Sequence, residues 1–137
     1  MRVACLDLEG VLVPEIWLGL AEKTGLQELE ITTRDIPDFD QLMRRRLAIL
    51  DEKRITMRDV REVVATMEPL PGARAFIDTL RATMPVIILS DTFAEFVPPL
   101  MEKLAYPTLF CNTLIIDEQE RIVDFTLRQR DGKRHAV

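Results

Sequence analysis

The stretch Arg2-Val3-Ala4-Cys5-Leu6-Asp7-Leu8-Glu9-Gly10 decides the fold. It reads as a short, mostly apolar strand that ends on an acid. Continuous apolar character suits a strand covered on both faces, as in a parallel sheet. Asp7 and Glu9 are two residues apart, so an extended backbone points both side chains the same way. Gly10 permits a tight turn beside a bound group. One carboxylate can attack an electrophile while the other donates and later accepts a proton. A pair of acids is also half of a hard-cation site such as Mg²⁺. Acids end many buried strands at the solvent boundary with no chemistry attached, so the rest of the chain has to decide.

Outward from this stretch, Pro14 opens a helix near 14–24, with Gly25 as its stop. The polar region 26–38 reads as irregular. A second helix is expected from Phe39 to Asp51, and a third after Thr56, an N-cap with Asp59 three residues on. Pro69 and Pro71-Gly72 mark a boundary, followed by a helix over 72–82. Pro85-Val86-Ile87-Ile88-Leu89-Ser90 is a second buried strand. Phe93–Leu104 has a helical pattern, which Pro98-Pro99 should kink or split. Thr108–Cys111 is a third short strand, and Leu114–Ile116 with Ile122–Leu127 suggests a hairpin around 117–120.

This order predicts an α/β fold with a parallel sheet and a helical insertion after the first strand. The core would comprise 1–13 and 71–137, and the insertion 14–70. Such an insertion would sit above the carboxyl ends of the strands, where open α/β sheets bind ligands.

Three further positions bear on chemistry. Ser90-Asp91-Thr92 ends the second strand, so polar residues cap two apolar strands at one sheet edge. The Ser90 hydroxyl and the N–H groups after it suit an anion at a loop-to-helix junction, or an ordinary helix cap before Phe93. On the second helix, Phe39, Leu42, Met43, Leu47, Ile49 and Leu50 form one apolar stripe. Arg46 falls inside that stripe, while Arg44 and Arg45 fall off it. An inward guanidinium needs an anion to face; a structural ion pair and a substrate carboxylate are both open. Glu15 falls on the polar side of its helix, away from Ile16, Trp17, Leu20 and Ala21, where favouring the helix dipole is explanation enough. Lys133 lies in a basic cluster at the chain end, where a solvated tail is the commoner case. The sole histidine, His135, has no metal-ligand spacing.

Bulk numbers narrow the function classes. At 137 residues, one core is expected. With 47% hydrophobic and 30% charged residues, the composition is that of a folded globular protein rather than a disordered one. The net charge of -5 gives no bulk case for binding nucleic acid or an anionic membrane. Cys5 and Cys111 lack CxxC spacing and read as two buried thiols of a cytoplasmic protein. No segment has signal-peptide or transmembrane character.

Together, Ala4–Trp17 (ACLDLEGVLVPEIW), Thr32–Asp40 (TTRDIPDFD), Val86–Phe96 (VIILSDTFAEF) and Arg128–Arg134 (RQRDGKR) resemble the haloacid-dehalogenase (HAD) phosphatases with a helical cap. Within that family they are most similar to the bifunctional phosphoserine phosphatase/homoserine phosphotransferases, over the whole of 1–137. The DxE form of the first motif, in place of DxD, marks that group. The resemblance implies a HAD-like Rossmannoid sheet, Mg²⁺ as cofactor and phosphoserine as substrate, with homoserine as an alternative acceptor. It implies Asp7 as nucleophile and Glu9 as general acid/base, with Asp7 and the Glu9 carbonyl on the metal. Glu15 would receive the substrate amino group and Arg46 its carboxylate. Ser90 and Asp91 would lie at the phosphate, and Lys133 would neutralise it. A phospho-receiver domain also phosphorylates an aspartate, but on an internal strand and without a helical insertion.

One departure stands against this. The family carries a GDxxxD motif on a later strand beside the first one, with further metal ligands, and the 137 residues do not contain it. The chain therefore reads as the N-terminal two-thirds of an enzyme, lacking the C-terminal strands. That leaves an inactive fragment as the competing reading, and an open sheet edge that favours self-association.

Overall fold

The computed structural model describes residues 1–129. The elements run β1 (Ala4–Leu6), α1 (Ile16–Thr24), a 3-10 turn (Gln27–Glu30), α2 (Phe39–Glu52) and α3 (Met57–Ala65). They continue with α4 (Ala73–Arg81), β2 (Val86–Phe93), α5 (Pro98–Lys103), β3 (Thr108–Ile116) and β4 (Ile122–Thr126). The four strands form one sheet in the order β1-β2-β3-β4. The first three are parallel, and β4 returns antiparallel to β3. The architecture is the expected α/β one, with α1 to α3 inserted after the first strand.

Local chemistry fixes the helix ends. Gly25 closes α1 in the left-handed conformation, at φ 73°. Asp38 caps α2 by accepting from the Gln41 N–H. Thr56 and Asp59 form the full reciprocal capping box of α3.

Two elements differ from expectation. The segment beginning at Phe93 does not enter a helix: β2 runs on to Phe93 through a register shift after Leu89. Pro98 and Pro99 then occupy the first turn of α5, where a missing N–H costs nothing, so they start a helix rather than kink one. The strand expected at Thr108–Cys111 and the first arm of the hairpin are one continuous strand, β3.

The second difference concerns which face of the sheet is covered. Ala4, Leu6, Val86 and Ile88 share the buried face, and Ile88 belongs to the same buried cluster as Ile77, Leu100 and Leu104. Cys5, Ile87 and Thr108 share the opposite face. There Cys5 and Thr108 are exposed, as are the large side chains of Val3 and Phe110. Right-handed crossovers that step in one direction, β1 to β2 to β3, place their helices on one side only. The expectation that both faces are covered and both thiols buried is therefore corrected for the described residues. Cys5 is exposed and Cys111 half-buried, with the Cys111 thiol pushed up to about 11 by burial and by the charge of Glu95. An alkylating reagent at pH 8 should modify Cys5 at least ~10-fold faster than Cys111, because Cys5 is exposed whereas burial shields Cys111 and holds its thiol protonated. Peptide mass spectrometry of a time course checks this, and equal rates would contradict the open face.

The inserted helices are fastened to the sheet by aromatic packing. Trp17 of α1 meets Phe96 edge-on at 5.4 Å, Phe96 meets Phe93 at 5.7 Å, and Phe93 meets Phe125 of β4 at 6.3 Å. Each such pair contributes roughly 0.5–1.5 kcal/mol beyond its buried area. The exposed pairs Arg44–Asp124 (2.6 Å) and Arg61–Glu120 (3.0 Å) join the same layers; solvent screening limits each to about 0–1 kcal/mol. Packing therefore sets where the helices stand over the strand ends. Among the described residues, no helix is long and apolar enough to cross a membrane.

Candidate active site

Immediately after β1 the chain folds back on itself. The Leu8 carbonyl accepts from the N–H groups of Val11, Leu12 and Val13, at 3.3, 2.8 and 3.1 Å, and the Gly10 N–H donates to the Val13 carbonyl at 2.7 Å. Gly10 sits at φ 78°, a conformation that strains any residue with a Cβ. This turn lifts Asp7 and Glu9 to the carboxyl end of the sheet and delivers the chain to α1.

Over that end lies a cleft of about 360 Å³. Asp7, Glu9, Glu15, Arg46, Ser90 and Asp91 all line it. Six of the seven residues singled out in the sequence are thus brought together, from the β1 turn, α1, α2 and β2. Lys133 lies outside the described residues.

Each occupies a distinct setting. Asp7 is exposed, and its Oδ1 accepts from the Leu8 N–H at 2.8 Å. Glu9 Oε1 accepts from the Ile16 N–H at 3.0 Å, so its carboxylate closes the N-terminus of α1. Burial holds the Glu9 carboxyl above its ordinary range, and the nearby charges of Glu15 and Asp7 push the same way. The Ile16 N–H and Arg46 act against that shift without reversing it. Glu15 is the N-cap residue of α1 and makes no side-chain cap bond. Its carboxylate borders the cleft, where its charge acts on both Glu9 and Arg46. Favouring the helix dipole is therefore not all that it can do.

Arg46 is buried, at 8% exposure, while Arg44 and Arg45 are exposed, as the stripe on α2 requires. Its Nη2 donates to the Ile31 carbonyl at 2.8 Å, its Nη1 approaches the Met43 sulfur at 3.9 Å, and its guanidinium lies 4.8 Å over the Trp17 ring. Among the described residues its buried Nε has no hydrogen-bond partner. Burial pulls the guanidinium down to about 10, opposed by Glu9 and Glu15, so it stays charged at neutral pH. A buried cation on the wall of a cleft needs an anion to face, and a bound carboxylate can supply one there.

Ser90 is buried inside β2, and its Oγ accepts from the Thr92 N–H at 3.1 Å. Among the described residues its hydroxyl hydrogen remains to be donated. The loop-to-helix junction expected here does not exist, because β2 continues. Ser90 instead sits at the register shift, and the Asn112 side-chain amide steadies the Asp91 carbonyl at 3.2 Å.

The oxygen donors suit a hard cation. Mg²⁺ takes one or two carboxylates and completes its shell with phosphate and water, and Asp7 supplies such a carboxylate at the open end of the cleft. Among the described residues, no three His, Cys, Asp or Glu side chains are grouped to hold a metal by themselves.

Sequence reading missed Trp17, Thr32, Thr33 and the Ile31 carbonyl, which shape the cleft or hold Arg46. The apolar stripe marked Trp17 as buried without showing what it faces. A main-chain carbonyl has no signature in sequence.

No family model matches the chain. It is 58% identical to phosphoserine phosphatase ThrH of Pseudomonas aeruginosa over all 137 of its residues, which span 67% of that protein. It is 56% identical to a phosphoserine phosphatase of Pseudomonas syringae pv. tomato, of which it spans 58%. Among solved structures, an apo phosphoserine phosphatase superposes with a TM-score of 0.78 at 23% identity, over 98% of this chain and 67% of that one. A phospho-aspartyl intermediate analogue of phosphoserine phosphatase gives 0.74 at 24% identity, over 92% and 63%. The two structures speak for the fold, and the Pseudomonas aeruginosa relative, matched over two thirds of its length, for the family: the chain belongs to the phosphoserine phosphatases.

Proposed function

We propose that this protein hydrolyses O-phospho-L-serine through an aspartyl phosphate on Asp7, with Mg²⁺ as cofactor. The observation that carries the reading is the meeting of the Asp7 and Glu9 carboxylates with the buried Arg46 guanidinium in one cleft. Segment 14–70 acts as the cap that selects the substrate, over a core of 1–13 and 71–137.

In the first step an Asp7 oxygen attacks phosphorus, and the bond from phosphorus to the serine oxygen breaks. Glu9, protonated, gives its proton to that departing oxygen. In the second step the Glu9 carboxylate takes a proton from water as the water attacks the aspartyl phosphate. Inorganic phosphate leaves and Asp7 is restored. When the homoserine hydroxyl attacks in place of water, the same proton transfer yields phosphohomoserine. Arg46 binds the substrate carboxylate and Glu15 its ammonium group. Ser90 donates to the phosphate, with Asp91 beside it. Lys133 would offset the phosphate charge from its place in the chain-end cluster. The Asp7 carboxylate and the Glu9 main-chain carbonyl would hold Mg²⁺, whose charge lets an anionic nucleophile approach an anionic phosphate. The acidic balance of the chain makes such local cations necessary, and a cytoplasmic setting fits the chemistry.

Phosphate release from O-phospho-L-serine and from O-phosphoethanolamine, which lacks only the carboxylate, tests the assignment. The wild type should favour phosphoserine, and Arg46→Ala should raise KM for phosphoserine by about 10- to 100-fold, the range of a hydrogen bond to a charged group. O-phosphoethanolamine should be little affected; equal losses on both would refute the carboxylate role. Binding without turnover is a second reading, because the GDxxxD motif is not in these 137 residues. The same assay on a chain extended through that motif separates the two.

A further inference from the structure

The segment Thr32-Thr33-Arg34-Asp35 has no part in the chemistry above, yet Thr32 and Thr33 line the cleft. The segment follows the residue that holds Arg46. The Ile31 carbonyl accepts from Arg46 Nη2 at 2.8 Å. That carbonyl and the Thr32 N–H belong to one peptide group, which is planar and trans, so turning one turns the other. The Thr32 N–H donates to Asp35 Oδ2 at 3.0 Å. The Asp35 carboxylate therefore acts on Arg46 through a single rigid plane. It steers the Ile31 oxygen and, by accepting from the far side of the amide, makes that oxygen a better acceptor.

Further bonds keep Asp35 in place. The N–H groups of Asp35 and Ile36 donate to the Thr32 carbonyl at 2.9 and 3.0 Å, and the Arg34 N–H donates to Thr32 Oγ1 at 3.2 Å. The result is a closed turn standing on its own hydrogen bonds. Among the described residues Arg46 otherwise has the sulfur of Met43 and the Trp17 ring, both weak at fixing direction, and an unpartnered Nε. The Ile31 carbonyl is the strong directional contact among these. We propose that Asp35 is a positioning residue: through the Ile31–Thr32 peptide it aims the Arg46 guanidinium at the substrate carboxylate and so sets the preference for an amino-acid phosphate. This rests on the assignment of Arg46 to that carboxylate.

Trp17 is the sole tryptophan and carries Arg46 on its ring, so its fluorescence reports on the site without turnover. The test is a fluorescence titration, in Mg²⁺, with O-phospho-L-serine and with O-phosphoethanolamine, run in an Asp7→Asn parent that cannot turn them over; this parent is the wild type of the comparison, and each further substitution is added to it. The ratio of the two Kd values measures carboxylate reading alone. In Asp35→Ala the ratio should fall by about 3- to 10-fold, the span of one exposed hydrogen bond, with O-phosphoethanolamine binding unchanged. Asp35→Asn keeps an acceptor oxygen and should stay within about 2-fold of wild type. Arg46→Ala should level the ratio. If Arg46→Ala levels it while Asp35→Ala leaves it at the wild-type value, the role of Asp35 is overturned and that of Arg46 stands. Equal loss of both ligands in Asp35→Ala also overturns it, since the turn would then be only structural. A wild type that does not distinguish the ligands, or an Arg46→Ala that keeps the wild-type ratio, overturns the Arg46 assignment and this one with it.

Discussion

Asp7→Asn should abolish phosphate release from phosphoserine, by on the order of 10⁴-fold or more, because an amide cannot form the acyl phosphate. The change is nearly isosteric. Asparagine retains an oxygen for the Leu8 N–H that Asp7 now holds at 2.8 Å. Asp7 is also exposed and outside the core, so thermal stability should move by no more than ~0.5 kcal/mol. The combination matters: a folded protein that still binds phosphoserine but does not turn it over has lost a nucleophile and little else. Single-turnover kinetics with a parallel melting curve checks this. Residual activity within a factor of ten of wild type would move the nucleophile elsewhere.

Glu9→Gln should lower kcat by roughly 10²- to 10⁴-fold, the usual weight of a placed proton donor and acceptor. Glutamine keeps the oxygen that accepts from the Ile16 N–H at 3.0 Å, so the start of α1 should survive. It cannot release a proton to the serine oxygen or take one from water. The two steps can be told apart by substrate. An aryl phosphate has a leaving group that departs without a proton, so Glu9→Gln should slow phosphoenzyme formation from it far less than from phosphoserine. Equal slowing of that step by both substrates would show that Glu9 shapes the site and does not move a proton. Quenched-flow measurement of each step decides.

The framework was legible wherever sequence chemistry is local. Gly25, Thr56 and Asp59 mark helix ends by their own conformational needs, and the structure shows those ends. Asp7 and Ser90 were legible as polar residues breaking apolar runs, and Arg46 as a charge inside an apolar stripe. The failures have physical causes. Ser90-Asp91-Thr92 breaks the apolar run, yet β2 continues through it to Phe93, because pairing with β3 resumes after the register shift. Pro98-Pro99 looked disruptive inside a supposed helix but suits the first turn of one that begins there. Cys5 sits in an apolar run, and such a run does not say which face of its strand is covered. The place of Glu15 at the cleft could not be read from its helix face, because a helical projection tells inside from outside, whereas this cleft lies at the helix end. The hold on Arg46 was invisible because it rests on the main-chain oxygen of Ile31.

The most direct test of the account is whether Asp7 receives a phosphoryl group. Beryllofluoride mimics an aspartyl phosphate and requires no turnover. Fluorine NMR of the chain with Mg²⁺ and beryllofluoride should show a saturable bound signal that disappears in Asp7→Asn and persists in Asp91→Asn. A bound signal that survives Asp7→Asn, or none in a chain extended through the GDxxxD motif, would contradict the claim that Asp7 is the nucleophile.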